Sequence, residues 1–409
     1  MIASSPARLS DERPRTGHSA PRLRVALLAG TLGQGGAEKQ LIYTARALRQ
    51  SNVAVQLYSL RRDEFYKAAL QELNLRPIWI GRHESPLLRL GAFVRALWAY
   101  RPHVIQSGHF FGNIYAALAA RLLGAVSIGA IRSDALLEFE EMGRWAPWLL
   151  RLPRSIIANS HAALNNLRCC GVPEDKCHLV SNVIDLVEFD AHVAEGRPLI
   201  PPQESPVVVT VGLLDRVKRL DRFLDVLSLA RRSMPGLRGI IIGDGPDRSQ
   251  LERAARERGL FPAGLQFLGR RQDVPVLLRR ADVFLLTSEH EGFPNVLLEA
   301  MAARLPVVTT PAGDAGRLVK DGTTGYVVSF NDVQGMVQRV LQLAKSPPLR
   351  QRFGGAGRQQ VEERYSYAGL PRCLLATYRA IAAQQRHRKA LRACLSYSPP
   401  TVSAAGLPR

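Results

Sequence analysis

The sequence predicts an α/β protein made of two doubly wound domains that face each other across a cleft. Three observations lead there. At 409 residues the chain exceeds what one hydrophobic core organises, and a hydrophobic share of 46% suffices for two. Short apolar runs alternate with amphipathic stretches of helical period, as expected of parallel strands covered by helices on both faces. The alternation stops once, in a proline-rich stretch near the middle, and then restarts.

Taken in order, residues 1–21 (MIASSPARLSDERPRTGHSAP) are polar, charged and proline-containing, without the apolar centre of a secretory leader, so a disordered tail is expected. LRVALLAG (23–30) reads as a buried strand, and TLGQGGAEKQLIYTARAL as a glycine-rich loop opening an amphipathic helix. AVQLYSL, HVIQSG, VSIGAIR and SIIANS continue as strands, separated by helical stretches such as NIYAALAARLLG. Together they predict a Rossmann-like domain over 22–190. AHVAEGRPLIPPQESP carries four prolines and little periodicity, which marks a linker over 191–205. VVVTVGLL, LRGIIIGDGP, LQFLGR, ADVFLLTS, PVVTT and GYVVS then supply the strands of a second Rossmann-like domain over 206–363. Residues 364–395 read as basic helices packing back on the first domain, and 396–409 as a second disordered tail.

The totals exclude some classes of function. No run of 18 apolar residues occurs, so no transmembrane helix is expected. The five cysteines (Cys169, Cys170, Cys177, Cys373, Cys394) fit neither a zinc site nor a disulfide framework, which favours a reduced cytoplasmic setting. The adjacent Cys169 and Cys170 read as packing residues near a helix end. The formal charge is +20, and the segment after Glu363 holds eight Arg and Lys and no acidic residue. Without a zinc-finger spacing or an RNA-binding aromatic motif, that charge points away from nucleic acid. It favours an anionic membrane surface or an anionic substrate, and a generally basic proteome accounts for it as well.

The chemistry concentrates in EGFPNVLLEAMAARLPVVTT, residues 291–310. ADVFLLTSEHEG is a strand running into a loop, which puts Glu291 at a strand's carboxyl end, where open parallel sheets bind ligands. Pro294 suits the first helical position, and the helix then stops before Pro306. The free N–H groups near residues 293–296 offer an anion site suited to a diphosphate. Glu299, one turn in, leans back toward the cleft. A carboxylate there would repel phosphate, so it must accept hydrogen bonds from a neutral diol such as ribose, while Glu291 meets the hydroxyls of a second neutral group. A phosphate between two polyols is a nucleotide sugar. GDGPD (243–247) reads as a turn in preference to a metal-binding carboxylate pair.

EGFPNVLLE resembles the E-x7-E motif of glycosyltransferase family 4, retaining enzymes of the GT-B fold. LGQGGAEKQL is similar to that family's first glycine-rich loop. SNVID with Phe189 resembles its N-G-V-D-x-x-x-F, with Val183 in place of Gly. VGLLDRVKRLD resembles its V-G-R-x-x-x-x-K-G diphosphate element, and IIGDGPDRSQLE and FLGRRQDVPVLLRRADVFLLTSEHEGFPN match its second domain. The resemblance spans nearly the whole chain.

It implies that Glu299 binds ribose and Glu291 the donor sugar, with backbone N–H groups of Gly292, Phe293, Asn295 and Val296 on sugar and phosphate. Lys218 matches the lysine that neutralises the diphosphate. The family's arginine falls on Leu213, with Arg216 three residues on as a substitute. His109 matches a histidine near the donor sugar, Arg270 lies where the base is held, and Gly35 and Gly36 belong to the loop over the donor. The implied activity is metal-independent hexosyl transfer with retained anomeric configuration, from a nucleotide sugar, UDP-linked by preference, to a glycan or lipid-linked acceptor. No cofactor and no metal site are expected. EMGRWAPWLLRLPRS (141–155), with Trp145, Trp148, Arg144, Arg151 and Arg154, suits a membrane interface, and a core helix with charged ends reads equally from it. The expected setting is cell-envelope or exopolysaccharide synthesis, at the inner face of the plasma membrane. The alternatives are a non-catalytic GT-B scaffold, a nucleic-acid-binding protein suggested by charge alone, and a sugar-nucleotide hydrolase or epimerase.

Overall fold

A computed structural model describes residues 22–62, 65–136, 139–140, 143–196 and 205–384. Seven strands form the first sheet: β1 (Arg24–Ala29), β2 (Ala54–Ser59), β3 (Ile78–Trp79), β4 (Val104–Ser107), β5 (Val126–Ile131), β6 (Ser155–Ala158) and β7 (Cys177–Leu179). Six form the second: β8 (Val207–Val211), β9 (Arg238–Ile242), β10 (Leu265–Gly269), β11 (Val283–Leu286), β12 (Val307–Thr309) and β13 (Gly325–Val327). Every pairing is parallel. The orders are β3-β2-β1-β4-β5-β6-β7 and β10-β9-β8-β11-β12-β13, so each sheet runs outward in one direction from its first strand and then reverses. The central strands are buried throughout, as their unbroken apolar runs require.

The short strands β3 and β7 were not expected from the sequence; two or three residues hold no detectable periodicity. The domain boundary also differs. The helix Leu186–Glu195 occupies the start of the expected linker, and Leu186 and Phe189 enter the second domain's core beside Val207, Leu286 and Phe293. Asp185 caps that helix by accepting from the N–H groups of Val187 and Glu188. The chain therefore crosses near Ile184, and residues 197–204 of the linker lie outside the described residues, as do the tails 1–21 and 396–409 and residues 385–395. Cys169 is exposed rather than packed.

The second crossing lies beside the first. Ile184 and Tyr365 to Tyr367 exchange backbone hydrogen bonds, Ile184 N to Tyr365 O and Tyr367 N to Ile184 O, both 2.9 Å. The helix Pro347–Arg364 stays with the second domain, held through a two-bond Arg358–Asp190 pair at 2.8 and 2.7 Å. The next helix, Leu370–Ala383, returns to the first domain. Its Leu370, Leu374, Tyr378 and Ile381 complete a core that contains Leu27, Leu41, Leu48 and Leu57. This matches the expected packing of C-terminal helices on the first domain.

Candidate active site

In both sheets the order reverses beside the first strand, so the loops after β1 and β4, and after β8 and β11, open at a switch point. The two switch points face each other across a cavity of about 530 Å³. The first domain contributes Gln34, Gly35, Gly36, Arg132, Asn159 and Asn182 to its wall. The second contributes Leu213, Lys218, Arg270, Arg271, Glu291 and the turn Phe293–Val296.

Lys218 and Glu291 meet in that wall. Lys218 Nζ lies 2.7 Å from Glu291 Oε1, which also accepts from Ser288 Oγ at 2.8 Å. The two loops are sewn together behind them by Glu289 N to Val217 O at 2.9 Å and Thr287 Oγ1 to Lys218 O at 3.1 Å. Asp215 holds the turn Arg216–Lys218 by accepting from the Lys218 N–H. Burial works against the charge of Lys218, but the Glu291 carboxylate outweighs it and holds the ammonium above its ordinary value.

The helix Asn295–Ala302 begins one residue later than expected, with Pro294 as its N-cap, and its first residues, Asn295 and Val296, line the cavity. Gln40 Nε2 crosses from the first domain to Asn295 Oδ1 at 3.3 Å, and Asn182 Nδ2 to Phe293 O at 3.2 Å. Gly292 packs face to face with the other domain. A Cβ there would lie 2.7 Å from Arg132 O and from Ser133 backbone atoms, so only glycine permits this approach. Glu299 lies one turn along the helix Asn295–Ala302, outside the cavity lining, with its side chain partly exposed. Burial raises its pKa, opposed by Lys39 of the first domain, whose Nζ is 3.8 Å from Oε1.

The expected site residues thus separate into two groups. Gly35, Gly36, Lys218, Arg270, Glu291, Phe293, Asn295 and Val296 share the cavity, with Arg270 exposed at its rim. His109, Arg216, Gly292 and Glu299 do not line it. Arg216 is exposed. His109 is held inside the first domain: its Nδ1 accepts from Gly30 N at 3.2 Å, which leaves the Nε2 proton for Glu38 Oε1 at 3.2 Å. GDGPD is a turn, with Asp244 accepting from Gly245 N and Asp247 N donating to Leu214 O.

Three participants went unread in the sequence. Arg132, just after β5, lines the cavity, with its Nη1 3.4 Å from Oδ1 of Asn182, another lining residue. Asp134 pairs with His290 Nδ1 at 2.9 Å across the domains. Asp314, 2% exposed, reaches from the second domain to the start of the helix His161–Cys169, accepting from His161 N at 2.8 Å and Ala162 N at 3.0 Å. Strand–Arg and Gly-Asp signals do mark them as loop residues, but nothing local names their partners.

A second cavity, about 800 Å³, opens on the far side of the glycine-rich loop, with Leu32, Leu57 and Leu75 inside and Arg61, Arg62, Arg76 and Trp79 about it. Trp145 and Trp148 of the same domain are 60% and 61% exposed, near the exposed Arg151 and Arg154, while Ala146 and Leu150 of the helix Ala146–Arg151 are buried in the core, so the stretch is a helix with a core face that also presents tryptophans to solvent. No helix among the described residues is long and apolar enough to cross a membrane.

Comparison with known proteins follows the same division. Residues 34–188 match the description Glycosyltransferase Family 4, and residues 196–360 match Glycosyl transferases group 1. The N-acetyl-alpha-D-glucosaminyl L-malate synthase of Bacillus anthracis is 27% identical over 212 residues, 51% of this chain and 55% of that protein. The alpha-D-kanosaminyltransferase of Streptomyces kanamyceticus is 25% identical over 322 residues, 74% of this chain and 81% of that protein. The match thus spans about half the length of the first relative and most of the second. Among solved structures, Anabaena Alr3699/HepE in complex with UDP-glucose superposes with a TM-score of 0.77 at 20% identity, over 87% of this chain and 99% of that one, which shows the fold.

Proposed function

The chain belongs to the family 4 type of glycosyltransferases with the GT-B fold, and from that premise we propose that it moves a hexosyl unit from a nucleotide sugar, held in the interdomain cavity, to an acceptor on the first domain, with retention. The observation that carries the reading is the Lys218–Glu291 contact of 2.7 Å at facing switch points, beside a helix N-terminus.

In this reading the diphosphate lies on the N–H groups of Asn295 and Val296, with Lys218 as its counter-ion. When the donor arrives, Lys218 is shared between phosphate and Glu291, and the Glu291 carboxylate turns to the sugar hydroxyls. The glycosidic bond to phosphate breaks as oxocarbenium character builds on the sugar. The departing diphosphate oxygen takes the proton of the attacking acceptor hydroxyl on the same face, which retains configuration. The positive wall does the charge stabilisation, so the chemistry asks for no metal ion. Glu299, released from Lys39, accepts from the ribose diol. His109 acts at one remove, with Glu38, by fixing the glycine-rich loop at Gly30.

A UDP-linked donor is favoured by the likeness to a structure that holds UDP-glucose. A lipid-linked or membrane-surface acceptor is favoured by the basic, apolar-floored second cavity and the exposed Trp145 and Trp148, and with it a role in envelope or exopolysaccharide synthesis at the inner face of the plasma membrane. Calorimetric titration with UDP, GDP and their sugar conjugates tests the core of the proposal. Micromolar binding of one nucleotide, lost in Glu299→Ala, is the expected result. A folded sample that binds none of them refutes the donor reading and returns the chain to the scaffold alternative. Product analysis with and without acceptor separates transfer from hydrolysis.

A further inference from the structure

Among the described residues, one cation of the cavity wall has a buried, unbonded guanidinium nitrogen and no carboxylate partner. Lys218 is held by Glu291, and Arg271 by Asp273 at 2.8 Å, while Arg270 is exposed at the rim. Arg132 differs. Its Nε is buried without any hydrogen-bond partner, and its Nη1 reaches only Asn182 Oδ1, at 3.4 Å. No carboxylate among the described residues forms an ion pair with it; nearby Asp134 is occupied by His290. Burial pulls its pKa down to about 10, which still leaves it charged at neutral pH.

Unpaired guanidinium groups are not retained in a cavity wall for packing, because a hydrophobic side chain fits such a place better. The residue is poised for an anion that the described residues do not supply. Its surroundings say which one. The backbone of Arg132 and Ser133 abuts Gly292, and Asn182 links the Arg132 guanidinium to the Phe293 carbonyl. The guanidinium therefore lies beside the turn whose next residues, Asn295 and Val296 at the helix start, line the same cavity. A planar fork of N–H donors next to a helix N-terminus is matched to phosphate oxygens. The second domain's own wall is short of charge at this point, since Leu213 lines it and the exposed Arg216 is not part of the lining.

We propose that Arg132 binds the donor diphosphate from the first domain, so that the leaving group is fully neutralised only when the two domains are closed. The assignment rests on the nucleotide-sugar reading and adds to it a residue from the opposite domain that couples closure to bond breaking. Arg132 would touch the substrate and act on the charge that develops as the sugar leaves.

The test compares wild type, Arg132→Met and Arg132→Lys by calorimetry, using the nucleoside, monophosphate and diphosphate of whichever base the wild type accepts. Thermal midpoints are recorded alongside. Arg132→Met should lose about tenfold or more in diphosphate affinity and leave nucleoside affinity within about twofold, with Arg132→Lys in between. Its thermal midpoint should equal or exceed that of wild type, since a buried orphan charge has been replaced by an apolar chain. Unchanged diphosphate affinity overturns the assignment, and so does an equal loss for nucleoside and diphosphate, which would mean general collapse of the cavity. A raised KM for acceptor with diphosphate affinity intact overturns it too, by giving the charge to an anionic acceptor. If the wild type binds no nucleoside diphosphate at all, the donor reading and this assignment fall together, an outcome distinct from the others.

Discussion

Asp314→Asn is the sharpest test of how the two domains are held. Asp314 Oδ2 and Oδ1 accept from the N–H groups of His161 and Ala162 at 2.8 and 3.0 Å, and Ser160 Oγ takes the third, from Ala163 at 3.1 Å. The Asp314 N–H itself donates to Gly292 O at 3.0 Å, tying the clamp to the donor loop. Asparagine has the same shape but one acceptor, so its amide must point a donor at one of the two N–H groups. One charge-assisted bond worth about 1.5–3 kcal/mol is lost, and a buried N–H is left unpaired. The favourable field of a carboxylate at a helix start goes as well, about 0.3–1 kcal/mol. The sum is about 2–4 kcal/mol, set against the closed arrangement because the contact spans the domains. At about 1.4 kcal/mol per tenfold, 3 kcal/mol shifts the open–closed balance on the order of 100-fold. Nucleotide affinity measured by calorimetry should fall with the closed population, and small-angle scattering should show a larger radius of gyration. The denaturant midpoint of each separate domain should barely move. If Asp314→Asn binds nucleotide like wild type and scatters identically, the cross-domain bonds contribute nothing to closure and this reasoning is wrong.

Other consequences can be checked together. Glu299→Gln should weaken nucleoside and diphosphate binding alike, by about tenfold or more, because the ribose contact is common to both. Its cost in stability should stay within about 1 kcal/mol, since the Lys39 partner is 32% exposed; a loss confined to the diphosphate would contradict the ribose assignment. Gly292→Ala puts a Cβ 2.7 Å from the backbone of Ser133, so the domains must part slightly; turnover should drop on the order of 10–100-fold, and unaltered turnover in a steady-state assay would show that close approach is not required. Arg358 and Arg271 hold Asp190 and Asp273 below the usual carboxylate range by direct hydrogen bonds. Depressed folded-state values stabilise above the unfolded pKa of about 3.9 and lose that contribution as pH falls through the folded values. Denaturant midpoints should therefore decline below about pH 4, and less steeply in Arg358→Met; an identical decline in both would remove Asp190 as a contributor.

Much of this was legible in the sequence because it is local. The E-x7-E stretch announces its own strand, turn and helix, and each of the two sheets could be traced from runs of apolar residues. What escaped depends on distance. Arg132 reads as an ordinary arginine after a strand, and its meaning comes from Asn182, 50 residues on, and from Phe293, a further 111 beyond that. Asp314 sits 153 residues from the helix it caps. The boundary near Ile184 was displaced because proline is a strong local signal. The hydrophobic partners of Leu186 and Phe189 are tertiary and carry no local mark. His109 shows the converse: a motif position was identified, yet both ring nitrogens are engaged within its own domain.

The returning helix Leu370–Ala383 has a consequence for biosynthesis. The first domain's core lacks Leu370, Leu374, Tyr378 and Ile381 until the end of the described chain has been made, and Tyr378 contacts Gln106 inside it. At about 5–20 residues per second, translation from Glu195 to Ala383 takes roughly 10–40 s. For that interval the helix Gly36–Gln50 has an uncovered apolar face, while the second domain can already fold behind it. The order of emergence from the ribosome is thus the reverse of the order of completion: the domain made first is sealed last. A chain cut after Glu195 would keep that face bare, so expression of the first half alone should give aggregation or chaperone capture unless residues 370–383 are supplied in trans.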